Sequence, residues 1–271
     1  MSSPFVLTAI IADVERAARC DLAGVDRIGV DIERIGKHAR QGSVPNARIS
    51  DHELEQLEAL RPVVQRAQLF ARLNPLHDGT GAEVDRAVAC GAQVLMLPYF
   101  TSAHEVETFV RLVDGRAAAT LLLETAAAVV RLPDILAVDG VAEITVGLND
   151  LSLSCGLANA FEVLASDMMD HISAGVRKRG VPFGFGGVAR AHDEALSMPS
   201  DLVFAQHPRL GSNAAWLSRS FFGPNPDEID IAAEVAALRT RLEFWRAQPA
   251  DMLSQQRDEM RRRLAAGRAQ Q

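Results

Sequence analysis

The stretch "ATLLLETAAAVVRLPDILAVDGVAEITVGLND", residues 119–150, contains one full period of the pattern that predicts the fold. It opens with an apolar run, 119–124, and closes with a second one, 144–147, while the segment between them is amphipathic. Two short apolar runs on either side of a helical segment are typical of a βαβ unit with parallel strands. Glu124 ends the first run and Asp150 closely follows the second. The sequence therefore places a carboxylate at each point where the chain leaves a buried strand.

The same alternation extends over the rest of the chain. We assign as strands the apolar runs at residues 5–11, 26–33, 69–74, 93–100, 119–124, 144–147, 182–187 and 201–206. Eight strands with helical crossovers favour a (β/α)₈ TIM barrel over the alternative, a doubly wound sheet. The alternative is weaker because no G-x-G-x-x-G motif follows the first strand. We expect a barrel, the catalytic domain, at residues 1–222 and a C-terminal helical extension at residues 223–271.

Composition and charge exclude several classes of protein. A chain of 271 residues with a net charge of −7 does not have the basic surface that nucleic-acid binding needs. It has no run of about 18 apolar residues, as a membrane span would need, and no evident signal peptide. Cys20, Cys90 and Cys155 are odd in number and far apart, so they predict neither a disulfide framework nor a zinc site. We therefore expect a cytoplasmic protein whose ligand is a small molecule.

In a barrel of this kind, the chemistry lies where strands end and βα loops begin. The polar residues at the predicted strand ends are Asp31, Glu33, Arg34, Arg72, Asn74, Glu124, Thr125, Asn149 and Asp150. Glu124 and Asp150 belong to neighbouring strands, and two carboxylates at close range repel each other unless a cation lies between them. Mg²⁺ commonly takes one or two protein carboxylates and completes its coordination with waters and substrate oxygens. The sequence thus predicts a divalent metal held by Glu124 and Asp150.

A longer segment, "LLLETAAAVVRLPDILAVDGVAEITVGLNDLSLSCG" at residues 121–156, resembles the signature region of the HpcH/HpaI aldolase and citrate lyase β-subunit family. "GVDRIGVDIER", "FARLNP" and "CGAQVLMLPYFTSAHEVETF" resemble the family's earlier strands, and the likeness runs from about residue 21 to residue 156. The family belongs to the phosphoenolpyruvate/pyruvate barrels. The resemblance implies a (β/α)₈ barrel that makes or breaks carbon–carbon bonds through a metal-stabilised pyruvate or acetyl-CoA enolate.

The resemblance also implies roles for individual residues. Glu124 and Asp150 match the two ligands of a divalent metal, Mg²⁺ or Mn²⁺/Co²⁺, and Arg72 matches the arginine that binds the 2-oxo or carboxylate oxygens. A developing enolate oxygen needs a Lewis acid and a guanidinium beside it, and the fork of Arg matches a carboxylate better than Lys does. The turn whose N–H groups would hold the substrate carboxylate matches Gly147, Leu148 and Asn149.

The segment after the second strand departs from the family pattern. The sugar-acid aldolases carry Asp-x-Glu-His there and the citrate lyase-like branch carries Asp-x-Glu-Asp, whereas this chain has "DIER" with Arg34 in the last position. The metal half of the site is therefore matched and the proton-transfer half is altered. Glu33 or a metal-bound water could act as the base, and His77 and His207 are the other candidates that follow predicted strands. The sequence does not rank them.

Structural interpretations and alternative functions stand beside this hypothesis. Asp150 could simply cap a helix, and Glu33 could form a surface pair with Arg34 and Lys37. The favoured function is a metal-dependent aldolase that acts on a 2-oxo acid. The alternatives are an acyl-CoA enzyme of the citrate lyase or malyl-CoA lyase type, and a barrel with altered enolate chemistry or carboxylate binding only.

The C-terminal extension contains "DEIDIAAEVAALRTRLEFWRAQ", residues 227–248, which predicts an amphipathic helix. Its apolar face would consist of Ile229, Ile231, Ala232, Val235, Leu238, Leu242 and Trp245. That face could pack on its own barrel, for example as the eighth helix, or on a second copy of the chain. The family resemblance implies C-terminal helices that are exchanged between subunits, so we expect a homo-oligomer.

Overall fold

The structure is a computed structural model that describes residues 4–37, 40, 50–193 and 196–268. Eight parallel strands pair in sequence order, and β1 also pairs with β8, so the sheet is a closed barrel. The strands are β1 Val6–Ile10, β2 Arg27–Asp31, β3 Gln68–Arg72, β4 Val94–Leu97, β5 Ala118–Leu123, β6 Glu143–Val146, β7 Phe183–Val188 and β8 Ala214–Leu217. The predicted (β/α)₈ barrel is confirmed.

Helices surround the barrel and bury the outer faces of its strands. The helices are α1 Val14–Leu22, α2 Gln56–Leu60, α3 Thr80–Ala89, α4 Ala103–Val113, α5 Ala126–Val130, α6 Leu132–Ala137, α7 Leu148–Ser154, α8 Ala160–Leu164, α9 Asp167–Arg179, α10 Ser200–Phe204, α11 Gln206–Leu210, α12 Arg219–Phe222, α13 Ile231–Arg246 and α14 Ala250–Arg268. Ser102 caps α4 by accepting a hydrogen bond from the N–H of Glu105, as its capping-box sequence predicts. Among these helices, none is both long and apolar enough to cross a membrane.

The interior of the barrel is apolar in its middle layer and charged at both ends. A separate cluster of buried side chains, Phe70, Val94, Met96 and Leu122, forms the apolar layer. The largely buried ion pair of Arg27 and Glu143 lies at the ends where the strands begin. Side chains two residues apart on a strand point to the same face, so Arg72 follows Phe70 towards the barrel axis, and Glu124 follows Leu122. The sequence of these strands therefore places charged groups on the axis at the carboxyl end of the barrel, which we call the rim.

The prediction of strand eight is wrong. Residues 201–206 are helical and belong to α10 and α11, while the eighth strand is the short segment "AAWL" at Ala214–Leu217. Val203 and Phe204 are adjacent in a short helix and are both buried. The sequence pattern of such a short apolar run does not distinguish a buried helix from a buried strand. The segment that follows it, with His207, consequently lies before β8 and away from the rim.

The C-terminal helices pack on their own barrel. Helix α13 lies against α1, α10 and α11, in the place of the eighth barrel helix, and buries Val235, Leu238 and Trp245 there. Helix α14, which comes next in the chain, packs against α8, α10 and α11. The chain itself thus covers most of the apolar face that the sequence left open to two interpretations, while Ala232, which was assigned to that face, is exposed. Assembly into a homo-oligomer through these helices stays a prediction.

Candidate active site

Charged side chains from four strand ends meet at the rim. Four carboxylates and three cations form one network of ion pairs and electrostatic contacts, and all but one of these residues are buried. We call this group the charged cluster: Asp31, Glu33, Lys37, Arg40, Arg72, Glu124 and Asp150. The structure thereby brings together the four acids and the arginine that the sequence placed at predicted strand ends.

Arg72 is fixed by a two-point contact with Asp31. Its Nε donates to Asp31 Oδ1 at 2.8 Å, its Nη2 donates to Oδ2 at 2.6 Å, and its Nη1 lies 3.3 Å from Glu33 Oε2. Burial alone would lower the pKa of Arg72, but Asp31 and Glu33 outweigh it and raise that pKa above its usual value. Burial alone would raise the pKa of Asp31, but Arg72 and Lys37 hold it well below its usual value. Both partners are therefore charged, and the guanidinium plane is held in one orientation.

Glu33 is fully buried and is held by cations. Arg40 binds its Oε1, while Lys37 Nζ lies 3.0 Å from its Oε2. Lys37 Nζ also lies 3.2 Å from Asp31 Oδ2, so the lysine joins two carboxylates. Arg34 turns away and pairs with Glu53 at 2.9 Å. The alternative interpretation, a surface pair of Glu33 with Arg34 and Lys37, is therefore wrong: of these two cations only Lys37 contacts Glu33, and it does so in the interior.

Asn74 and His77 belong to a hydrogen-bond network next to the charged cluster. The side-chain oxygen of Asn74 accepts from the N–H groups of Arg34 and Ile35 at 2.8 and 3.0 Å. Its amide nitrogen donates to Glu83 Oε1 at 2.7 Å, and His77 Nε2 lies 3.0 Å from the same oxygen. This chain of hydrogen bonds fixes the loop that carries Glu33. His77 thus belongs to a supporting network, at the side of Asn74 that faces α3.

The side chain of Glu124 packs closely against Tyr99 and Gly147. Its Oε1 accepts from the N–H of Tyr99 at 3.0 Å, and Tyr99 has a φ of +53°, a left-handed conformation that is rare for an aromatic residue. A Cβ atom at Gly147 would lie 2.6 Å from Glu124 Oε2, so only glycine leaves room for the carboxylate. Burial, with the negative charges of Glu33 and Asp150, raises the pKa of Glu124 well above its usual value.

Asp150 lies in the first turn of α7. The residue at the N-cap position is Gly147, so the interpretation of Asp150 as a helix cap is wrong. The N–H of Gly147 donates to Leu123 O at 3.0 Å and continues the strand ladder. Of the three predicted substrate-binding N–H groups, those of Leu148 and Asn149 are in the first turn, where a helix offers them no internal acceptor. The side chain of Leu148 is buried and that of Asn149 is exposed.

The donor set fits a hard divalent cation. Glu124 and Asp150 offer carboxylate oxygens from neighbouring strand ends. The raised pKa of Glu124 reflects its burial and, in addition, negative charge that a cation would offset. Across residues 4–37, 40, 50–193 and 196–268, no three His, Cys, Asp or Glu side chains are arranged as a metal site. A metal between Glu124 and Asp150 would accordingly take its other ligands from water and substrate, as Mg²⁺ commonly does.

Three residues of the site were missed or misplaced by sequence analysis. Lys37 and Arg40 follow Glu33 by four and seven residues, a helical spacing that puts all three side chains on one side of a turn. That spacing could have shown that they meet. Tyr99 gave no signal, because its role depends on its backbone conformation.

His207, one of the candidate bases that the sequence left unranked, lies outside the site. The residue is fully buried among aromatic rings, with Phe185 stacked on it at 4.0 Å between ring centroids, and Nδ1 lies 2.9 Å from Ser212 Oγ. Burial lowers the pKa of His207 to about 3. The neutral ring is a packing element, and the wrong position of strand eight explains why it was expected at the rim.

Comparison with solved structures shows what the fold resembles. An HpcH/HpaI aldolase from Desulfitobacterium hafniense DCB-2 has 17% identity and a TM-score of 0.62, with 92% of this chain and 95% of that chain covered. An HpcH/HpaI aldolase/citrate lyase family protein from Burkholderia cenocepacia J2315 has 18% identity and a TM-score of 0.62, over 91% and 96% of the chains. The citrate synthase SbnG has 16% identity and a TM-score of 0.59, over 79% and 86%. At these identities the likeness concerns the fold alone.

Comparison with protein families goes further. No curated protein matches the chain. The family model of HpcH/HpaI aldolase/citrate lyase matches residues 12–198, a span that includes every member of the charged cluster. Since the match extends over more than half of the chain, the chain belongs to the HpcH/HpaI aldolase/citrate lyase family.

Proposed function

We propose that the protein is a divalent-metal-dependent carbon–carbon lyase of the class II aldolase type. It cleaves or forms a 2-oxo acid through a pyruvate-type enolate. The observation that carries this proposal is the convergence at the rim of a buried, oriented guanidinium, Arg72, with two buried carboxylates on neighbouring strand ends, Glu124 and Asp150. Family membership supports a lyase in general terms.

Arg72 binds and orients the substrate. Its guanidinium closes the apolar interior of the barrel and lies 5.1 Å from the ring centroid of Trp216. Asp31 fixes the guanidinium before the substrate arrives, so the cation is in place where negative charge develops on the 2-oxo oxygen. A divalent ion held by Glu124 and Asp150 would add Lewis-acid stabilisation of the same oxygen.

Glu33 is our candidate for the proton-transfer residue. It is fully buried, and its Oε2 accepts no hydrogen bond from any residue that the structure describes, although Lys37 Nζ lies 3.0 Å away. A buried carboxylate next to Arg72 can take a proton from a substrate carbon or water that enters beside it. The positive charges of Lys37, Arg40 and Arg72 offset the unfavourable burial of the Glu33 carboxylate.

The charge of the site suits a carboxylate substrate. Four carboxylates and three cations give the charged cluster a formal charge of −1, and a divalent ion would change it to +1. An anionic 2-oxo acid is then attracted electrostatically. An acyl-CoA reaction of the citrate lyase or malyl-CoA lyase type is the alternative, and acetyl-CoA in place of pyruvate tests it in the same assay.

Removal of either proposed metal ligand tests this function. We expect Glu124→Gln and Asp150→Asn each to abolish pyruvate-dependent aldol addition to a panel of aldehydes and to weaken Mn²⁺ binding, while circular dichroism and thermal unfolding show an intact fold. Glu107→Gln, which removes an exposed carboxylate on α4, is the control and should change neither property. Full activity of Glu124→Gln or Asp150→Asn in EDTA would overturn the proposal.

A further inference from the structure

Arg40 places a permanent positive charge at the proposed metal ligands. Its Nε lies 3.6 Å from Asp150 Oδ1, and its Nη2 binds Glu33. The guanidinium stacks on the ring of Tyr99 at 3.7 Å from the ring centroid, and the N–H of Tyr99 is the donor to Glu124 Oε1. Arg40 therefore contacts one predicted ligand directly and reaches the other through a single residue.

Other contacts fix Arg40 in this position. Its backbone N–H donates to Gly36 O at 3.2 Å, and its Nη1 donates to Ile35 O at 3.2 Å. Yet its Nε is buried and donates no hydrogen bond to any residue that the structure describes. A buried charged donor without an acceptor is unfavourable, so its position needs a compensating interaction. The nearby carboxylate of Asp150 supplies that interaction as a charge at 3.6 Å.

Asp31 is already neutralised by Arg72 and Lys37, and Glu33 is already contacted by Lys37. The positive charges of Arg72 and Arg40 both act on Glu124, and Arg40 is also the cation that lies 3.6 Å from Asp150 Oδ1. Arg40 thus supplies to this pair part of the positive charge that a divalent ion would supply.

We propose that Arg40 is a built-in cation that competes with a divalent metal for the Glu124–Asp150 pair and so weakens metal binding. The proposal rests on the assignment of this pair as the metal ligands. A metal ion between the two carboxylates feels repulsion from the guanidinium, which burial in a low-dielectric site makes strong. Metal occupancy then depends on the metal concentration and on a substrate whose oxygens complete the coordination. Arg40 is a positioning residue that acts on the metal site through charge.

Direct Mn²⁺ binding tests this inference without reference to turnover. The free Mn²⁺ signal in electron paramagnetic resonance gives the Kd for the full-length protein without substrate. We expect Arg40→Gln to lower the Kd by about tenfold or more, because it removes a charge next to the ligands. Arg40→Lys, which keeps the charge, should stay close to the wild-type Kd. The matched control is Arg34→Gln, which removes a cation that pairs with Glu53 outside the cluster and should leave the Kd unchanged.

The double variant Arg40→Gln/Glu124→Gln locates the binding site. We expect it to lose the tight binding that Arg40→Gln gains. If Arg40→Gln binds Mn²⁺ no better than the wild type while Glu124→Gln abolishes binding, the inference is wrong and the proposed ligands stand. If the double variant binds as tightly as Arg40→Gln, or if no variant binds Mn²⁺, both the inference and the ligand assignment are wrong.

Discussion

Arg72 is the residue on which the chemistry of the site depends most. Its two-point contact with Asp31, at 2.8 and 2.6 Å, uses the planar fork of the guanidinium to set its orientation. A lysine at this position would keep the charge and lose the fork. We therefore expect Arg72→Lys to lower kcat by about 10²-fold or more, the range for loss of an oxyanion-type donor. Steady-state kinetics with pyruvate and the best aldehyde of the panel provide the measurement.

A change confined to KM would give Arg72 a different role. In that case the guanidinium would bind the ground state and the transition state equally well. Arg209→Lys is a suitable control, since Arg209 is an arginine that pairs with Asp170 on α9, away from the rim. It should leave kcat unchanged.

The buried His207 makes the free energy of unfolding depend on pH in the acid range. Burial lowers its pKa from 6.5 to about 3, so the unfolded chain takes up the proton more readily than the folded one. Its contribution is complete above pH 6.5 and is lost as the pH falls towards 3, at no more than about 1.4 kcal/mol per pH unit. We expect His207→Asn to reduce the slope of unfolding free energy against pH between these limits, as measured by urea unfolding.

The matched control for this measurement is His104→Asn, which replaces an exposed histidine on α4. Its curve should run parallel to that of the wild type. A His207→Asn curve that is also parallel to the wild type would show that the ring is protonated as easily in the folded protein as in the unfolded one.

Single residues were predictable where their position follows from a strand. Arg72 ends β3, Glu124 directly follows β5, and Asp150 lies in the first helical turn after β6; charged residues are unusual at such points. Lys37, Arg40 and Tyr99 take part through the shape of loops. The spacing links Lys37 and Arg40 to Glu33 only, and sequence alone gives no distance from these side chains to the other strand ends, so their remaining contacts required the structure.

At the scale of elements, seven strands follow from their apolar runs and the eighth does not. Strand β8, "AAWL", has four residues and two of them are alanines, so it carries little β-propensity. The stronger apolar run before it is helical and is covered by α13: Trp245 Nε1 and Arg241 both donate to Asp201, the second residue of α10. These contacts come from a distant part of the chain, so the local sequence pattern did not reveal them.

Helix α13 provides the test at this scale. Leu238 is fully buried between this helix and the barrel, so Leu238→Ala should lower the free energy of unfolding by about 2–5 kcal/mol. Thr240→Ala, on the exposed side of the same helix, is the control and should change it little. Urea unfolding measures both, and light scattering should show the same assembly state for all three proteins.

The opposite result would favour the exchange of C-terminal helices between subunits that the family resemblance implies. If Leu238→Ala keeps its stability but converts an oligomer into monomers, the apolar face of α13 is covered by a second copy of the chain. The packing of α13 in place of the eighth barrel helix argues for the first outcome.

At the scale of the whole molecule, the fold explains why distant residues form one site. Residues from 31 to 150 meet because parallel strands of a closed barrel all present their carboxyl ends at the same rim. The alternation of strands and helices made this architecture predictable from the sequence. The substrate is a different matter, because the second reaction partner is recognised by loops whose shape the strand pattern does not determine.

Deuterium exchange into pyruvate tests the central claim most directly, since it detects enolate formation whatever the second substrate is. The protein is incubated with pyruvate and Mg²⁺ in D₂O, and the methyl proton signal is followed by NMR. We predict that the signal decays in the presence of protein and metal, and that EDTA or Glu124→Gln stops the decay. A methyl signal that stays constant with metal, or that decays equally fast in EDTA, would contradict metal-dependent enolate chemistry at this site.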